Sequence, residues 1–198
     1  MIHIAVFASG GGTDLQAVID GCKSGVIDGE VCVVISNNPD AYALQRAAAA
    51  GIDACCIPVT EDGSSDEKTL NELARHGADM IFLAGYLKKV GAAILRQYHN
   101  RVFNIHPALL PKYGGKGMYG INVHRAVIAA GDSFSGVTVH RVNEEYDSGD
   151  LVAQTKVAVM PDDTPQTLAA RVLEREHSFL PEIIGDISRG KIKLGDTK

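Results

Sequence analysis

The chain has 198 residues, 45% hydrophobic and 22% charged, which is the size and make-up of one globular domain and excludes a disordered chain. Its 24 acidic side chains outnumber its 19 basic ones, for a formal charge of −5 at pH 7, so it offers no broad basic field to a nucleic-acid backbone. No apolar run approaches the roughly 20 residues that span a bilayer, and residues 1–8 lack the basic start of a signal peptide. The expectation is a cytoplasmic protein without nucleic-acid or membrane partners. The four cysteines, Cys22, Cys32, Cys55 and Cys56, show neither zinc-ligand spacing nor a Cys-x-x-Cys motif and are expected to be reduced and structural.

Residues 2–8 are continuously apolar and break into Ser9-Gly10-Gly11-Gly12-Thr13, after which Leu15, Val18, Ile19 and Cys22 recur at helical spacing: strand, glycine loop, helix. The alternation continues with a strand at 31–35, a helix at 41–50 closed by Gly51, and a short strand at 54–58. A polar loop at 60–66 precedes a helix at 67–76, a strand at 79–84, a helix at 92–98 and a strand at 101–105. Strands alternating with helices imply right-handed crossovers and a Rossmann-like, mainly parallel sheet with helices on both faces. Residues 107–120 carry two prolines and four glycines and cannot be one regular element, which makes them a candidate active-site loop. A helix at 122–130 then precedes two β-rich runs, 136–142 and 151–159, around an acidic loop at 143–150. That pattern reads as an antiparallel hairpin and makes the C-terminal part of the sheet mixed. A last helix opens at Thr164-Pro165 and runs toward Ser188, with a bend expected at Pro181.

A glycine loop between a first strand and a first helix suits phosphate, because its N–H groups and the helix dipole converge there, with the Ser9 and Thr13 hydroxyls in reserve. It is not a dinucleotide fingerprint, since Leu15 stands where the third glycine belongs, and no Gly-Lys-Ser/Thr makes it a Walker loop. A purely structural turn remains the alternative. Asp14 would suit the helix dipole yet repel a bound phosphate unless its side chain turns away or caps the helix.

Asn104 and His106 sit at the C-terminal end of an expected parallel strand, where open α/β sheets place ligands, and residues two apart share a face. An amide donor beside an imidazole suits acyl-type transfer through an oxyanion. The loop after residue 142 offers Glu144, Glu145, Asp147 and Asp150, and a carboxylate near His106 would raise its pKa and help to move a proton. Taken singly, a strand-end histidine is most often structural and an acidic loop most often solvated surface. The seven histidines show no metal-ligand spacing.

The segment Asn104-Ile105-His106-Pro107-Ala108-Leu109-Leu110-Pro111-Lys112-Tyr113 closely resembles the folate-dependent formyltransferases, and among them the branch acting on glycinamide ribonucleotide. The resemblance runs in family order through Ala8-Ser9-Gly10-Gly11-Gly12-Thr13, Ser36-Asn37-Asn38-Pro39-Asp40-Ala41, Leu83-Ala84-Gly85-Tyr86, Gly136-Val137-Thr138-Val139-His140, Asp147-Ser148-Gly149 and Glu176-His177. It implies direct, metal-free transfer of formyl from 10-formyltetrahydrofolate to the ribonucleotide's amino group in purine (IMP) biosynthesis, with Asn104 and a protonated His106 donating to the formyl oxygen as it becomes an oxyanion and Asp147 holding the histidine's charge and assisting proton transfer as the third member of the catalytic triad. It further implies that Gly11, Gly12, Thr13 and Asp14 meet the substrate phosphate. Glu176 and Pro107 would meet the rest of that substrate. Tyr86, Leu87, Lys88, Val90, Asn104 and Asp147 would meet the folate, with His140 as a supporting group. Glu176 also lies four residues from both Val172 and Leu180, on an otherwise apolar helical stripe; a structural carboxylate is the other reading.

Three positions depart from the family pattern. Asp14 stands where Asn is common and is expected to point away from the phosphate. Lys88 often has Arg as its counterpart, leaving a point charge in place of a bidentate donor. The loop 114–124 is several residues longer than usual and reads either as a mobile cover, with Lys116 or Tyr119 reaching a substrate, or as a surface insertion. The whole chain, 1–198, is expected to be a single domain, with a phosphate-binding half to about residue 100 and a catalytic and folate-binding half beyond it, present as monomer or homodimer. A formyltetrahydrofolate hydrolase would use the same triad but is expected to carry an extra N-terminal module. A sugar-nucleotide formyltransferase matches the glycine loop less well, and a non-catalytic nucleotide-binding module would not need the triad.

Overall fold

A computed structural model describes residues 1–195, which form a seven-stranded sheet and six helices. In chain order these are β1 (Ile2–Phe7), α1 (Thr13–Lys23), β2 (Gly29–Ser36), α2 (Tyr42–Ala49), β3 (Ala54–Cys56), α3 (Ser64–Arg75), β4 (Met80–Leu83), α4 (Ala92–Gln97), β5 (Val102–His106), α5 (Ile121–Ala129), β6 (Phe134–Arg141), β7 (Leu151–Ala158) and α6 (Pro165–Ser188). The sheet order is β3-β2-β1-β4-β5-β6-β7. Strands β1 to β5 pair in parallel, whereas β6 and β7 are antiparallel additions, the mixed C-terminal edge that the hairpin pattern predicts. The chain winds outward from β1 first through β2 and β3 and then through β4 and β5, so β1 and β4 flank the switch point at which such sheets open a crevice.

Two cores follow from the period-two alternation of the strands. In β1, Ile4 and Val6 face a layer made by α1, α2, α5 and α6, while Ala5 and Phe7 face α3 and α4. In β5, Phe103 and Ile105 belong to the first core. Asn104 and His106 therefore point to the other face of the sheet.

Several boundaries differ from the sequence reading. Helix α3 starts at Ser64, inside the stretch expected to be loop, because Gly63 takes a left-handed conformation at its N-cap and Asp62 Oδ1 accepts the Ser64 N–H at 3.0 Å. Strand β5 extends through His106, held by pairing with β6. Helix α6 runs from the Thr164 cap to Ser188 as one assigned helix with Pro181 inside it, and a side chain at Gly21 of α1 would run into Ile27 and Pro181, so the two helices approach closely there. The four cysteines are free, and burial pushes the thiols of Cys22, Cys32 and Cys55 up to about 11, which keeps them unreactive. No helix among the described residues is long and apolar enough to cross a membrane.

Leu180 is fully buried where α6 covers the first core. Leu180→Ala should lower unfolding stability by about 2–5 kcal/mol in urea titrations, through lost burial plus the cavity left behind; a loss below about 1 kcal/mol would mean that this helix face is not tightly packed.

Candidate active site

The register of β6 on β5 places His140 opposite Asn104 and Thr138 opposite His106. Cross-strand partners share a face, so all four side chains lie on one side of the sheet, with Thr138 fully buried beneath the cavity that the other three line. Thr138 is a scaffold: its hydroxyl donates to the Ala108 carbonyl at 2.6 Å and accepts the Leu110 N–H and the Gln154 amide at 3.1 and 2.9 Å. These buried bonds fix the chain just after Pro107.

His106 is 4% exposed, and its Nε2 lies 2.8 Å from the Tyr113 carbonyl oxygen. A carbonyl only accepts, so Nε2 carries the proton and Nδ1 is left facing Asp147 Oδ2 at 3.6 Å. The same reasoning fixes His140, whose Nδ1–H donates to the Arg141 carbonyl at 2.8 Å. Its Nε2, 3.1 Å from Asn104 Nδ2 and 3.5 Å from Asp147 Oδ1, accepts the amide when the ring is neutral.

Asp147 comes from the β6–β7 loop with a left-handed φ of 53°, and its Oδ2 accepts the Gly115 N–H at 2.9 Å. Gly149 is required just beyond it, because a side chain there would run into the Arg141 carbonyl. Burial works to raise the Asp147 pKa, but the adjacent His140 and His106 imidazoles and the Gly115 N–H outweigh it and hold the carboxyl below its usual range. His106 moves opposite to the sequence expectation. Its burial outweighs the pull of Asp147 and of the Tyr113 carbonyl, so its pKa lies below the ordinary 6.5.

These groups line one cavity of about 450 Å³. Asn104, His106, Pro107, His140, Asp147 and Glu176 all face it, and so do Tyr86, Leu87, Lys88 and Val90 from the β4–α4 segment. Tyr86 is braced edge-on against Phe7 at 5.4 Å, and burial together with the Asp66 charge pushes its phenol up to about 12. The long loop is part of the wall, since Lys116, Met118 and Tyr119 line the cavity, which favours a covering role over a detached surface insertion.

The glycine loop is organised differently from the sequence reading. Gly12 is left-handed at φ 69° and packs against Ala43 where a side chain would collide, and no side chain caps α1. The Ser9 hydroxyl is not in reserve: it accepts the Leu87 N–H at 2.8 Å and donates a short bond to Asn37, tying the β1 and β4 loops together. Gly11, Gly12 and Thr13 lie outside the cavity lining, while Asp14 is part of it. Arg46, which sequence reasoning missed, reaches from α2 to the Gly11 carbonyl at 2.8 Å and brings a cation to this loop.

The side chain of Asp14 faces α6. Its carboxylate turns inward beside His177 Nε2, at 3.7 Å, and close enough to Glu176 to repel it. Asp14 Oδ1 and His177 Nε2 are both buried without a hydrogen-bond partner. Burial raises both acids, Glu176 well above its ordinary 4.5, with the charge of Asp14 adding to the effect on Glu176 and His177 partly offsetting it on Asp14. Sequence reasoning also missed the Tyr113 carbonyl, the Gly115 N–H and His124. This last imidazole is 4% exposed, its Nδ1 has no partner, and burial and the nearby His106 charge lower its pKa. Only His124 left a trace in the sequence, as a buried-face residue of an amphipathic helix.

This geometry has known counterparts, for the formyl transferase family profile matches residues 2–184. The chain belongs to the formyl transferase family. It is 42% identical over 194 residues to the chloroplastic phosphoribosylglycinamide formyltransferase of Arabidopsis thaliana, covering 96% of this chain and 66% of that protein, just under two thirds of its length. With the phosphoribosylglycinamide formyltransferase of Haemophilus influenzae it is 39% identical, covering 99% of this chain and 92% of that protein. The crystal structure of glycinamide ribonucleotide transformylase 1 from Symbiobacterium toebii superposes with a TM-score of 0.90 at 38% identity, covering all of this chain and 92% of that one. The likeness therefore extends over nearly the whole chain, from β1 into α6.

The raised acids make a prediction. A carboxyl raised on folding favours the folded state below its unfolded value, and that advantage is lost as pH rises through the folded value. Glu176→Gln should therefore match the parent's melting temperature near about pH 4 and exceed it by roughly 2–4 °C at about pH 8. Equal melting temperatures at both pH values would show that Glu176 is not held as a strained acid.

Proposed function

We propose that this chain transfers the formyl group of 10-formyltetrahydrofolate to the amino group of glycinamide ribonucleotide, a step of purine biosynthesis. The observation that carries the reading is the convergence of Asn104, His106 and Asp147 on one cavity, with the His106 tautomer fixed. The uncharged amine attacks the formyl carbon, forming a C–N bond. The Asn104 amide donates to the oxygen as it becomes an oxyanion. His106 Nδ1 takes the proton from the attacking nitrogen, and Asp147 stabilises the imidazolium that results. The C–N10 bond then breaks, and the proton passes from Nδ1 to the departing nitrogen. Each proton is thus accounted for by a side chain of this protein.

Tyr86, Leu87 and Val90 are assigned to the pterin side of the cavity, and Lys88 to the folate's carboxylates as a point charge. Gly11, Gly12 and Thr13 take the acceptor's phosphate through the N–H groups at the start of α1, with Arg46 close by. Pro107 shapes the acceptor channel, and Glu176 receives the acceptor's amine or ribose. Chain 1–198 works as one unit, its first hundred or so residues holding phosphate and the remainder holding folate and the catalytic groups. It acts in the cytoplasm as a monomer or homodimer, without nucleic acid or membrane.

Incubation with 10-formyltetrahydrofolate, with and without glycinamide ribonucleotide, tests the reading. Acceptor-dependent loss of formyl is expected; equal loss without acceptor would reassign the chain as a hydrolase, and dependence on a sugar nucleotide would reassign the acceptor. His106→Ala and Asp147→Asn should each lower kcat by about 10²- to 10⁴-fold, and retained turnover in both would sink the assignment. Because His106 must be neutral to accept a proton and its pKa lies below 6.5, the acid limb of kcat/KM should fall below that pH; a limb above 6.5 contradicts the scheme. Asp14→Asn removes a carboxylate from beside the phosphate loop and should strengthen competitive inhibition by inorganic phosphate by about threefold or more; weaker inhibition would mean that Asp14 itself helps to hold the anion.

A further inference from the structure

Tyr113 is one of three non-glycine residues with positive φ among the described residues, at 63°, and it sits immediately before the glycine-rich loop. Nothing about a tyrosine favours that conformation, so it must be imposed from outside. The constraint comes from the turn between α5 and β6. The Tyr113 hydroxyl donates to Asp132 Oδ2 at 2.6 Å, and Lys112 Nζ donates to both oxygens of the same carboxylate at 2.7 and 2.6 Å while lying 5.0 Å from the Tyr113 ring centre. Lys112, Tyr113 and Asp132 are absent from the cavity lining. The ring is pinned at its far end, and the backbone carbonyl at its near end is the group that accepts the His106 Nε2–H at 2.8 Å.

We propose that Asp132 is a positioning residue for the formyl-transfer reaction: by anchoring the Tyr113 phenol from outside the cavity it aims the Tyr113 carbonyl at His106 and so dictates which imidazole nitrogen faces the substrate. The inference rests on the function proposed above. Without the anchor the residue can relax toward negative φ, the carbonyl turns off His106, and Nε2–H and Nδ1–H tautomers compete. Only the first leaves a lone pair on Nδ1 for the proton of the attacking amine. Lys112 and Tyr113 hold the Asp132 carboxyl below its usual range, so the anchor stays charged across any neutral assay pH. An exposed ion pair such as Lys112–Asp132 adds little to stability by itself, and the packing of the Tyr113 ring against the first core is one that Tyr113→Phe keeps.

The test compares Tyr113→Phe, which loses one oxygen, with Asp132→Ala and Asp132→Asn. Tyr113→Phe and Asp132→Ala should lower kcat about tenfold or more while leaving both KM values within about twofold. Asp132→Asn, which keeps an oxygen to accept the phenol, should recover most of the loss. In ¹⁵N-histidine-labelled protein the His106 signals, assigned by comparison with His106→Gln, should shift from a protonated-Nε2 pattern toward a mixture of tautomers in the two impaired variants. An unchanged His106 pattern in Tyr113→Phe overturns the proposal, as does a kcat loss accompanied by an equal rise in KM. Should Asp132→Ala fail to fold, Tyr113→Phe decides alone. The tautomer signal needs no turnover, so absence of formyl transfer in the parent would sink the proposed reaction without deciding the positioning role.

Discussion

The antiparallel pairing of β6 against β5 is the constraint on which the site depends. It supplies His140 opposite Asn104 and Thr138 opposite His106, and it brings the β6–β7 loop back so that Asp147 reaches both imidazoles. A slip of one residue would reverse every side chain of β6 between the two faces of the sheet. The bonds linking Thr138, Gln154 and Leu110 oppose such a slip, because it would break all three, the Leu110–Thr138 bond in a fully buried setting. The parallel part of the sheet makes the crevice, and the antiparallel edge equips it.

The electrostatics of the cavity are tuned for use and not for rest. Burial depresses His106 and raises Glu176 and Asp14, and Asp14, His124 and His177 keep buried polar atoms without partners. Each buried polar atom without a partner costs stability, and of these residues Asp14 lines the cavity. Left-handed backbone at Tyr113 and Asp147 adds strain of order 1–3 kcal/mol per residue. Both residues touch His106, so the strain is concentrated on the group whose orientation matters most.

Much of this was legible in the sequence because it is local. The apolar run before Ser9, the alternation that puts Asn104 and His106 on one face, the hairpin around Asp147 and the Thr164-Pro165 start of α6 all follow from spacing and cap chemistry. The inward turn of Asp14 was not legible, since it depends on α6 lying across α1 and delivering His177 and Glu176 to it. The commitment of Ser9 to Leu87 and Asn37 depends on β1 lying between β4 and β2. The Tyr113 carbonyl leaves no mark at all, because any residue carries a carbonyl and only its φ makes this one distinctive. The direction of the His106 shift was misjudged for a similar reason: a nearby carboxylate can be anticipated from sequence, but the depth of burial that overrides it cannot.

Strand β5 places alternate residues in two different environments, with Phe103 and Ile105 packed in the large core and Asn104 and His106 in the cleft. The reacting groups and the hydrophobic interior are therefore opposite sides of a single five-residue ribbon. A volume change at Ile105, or at the α6 side chains packed behind it, would tilt that ribbon and displace the imidazole and the amide together. Selection for catalysis should accordingly extend to residues that never meet a substrate, and a library screened only for turnover should return conserved aliphatic positions deep behind the cleft as readily as the polar groups that line it.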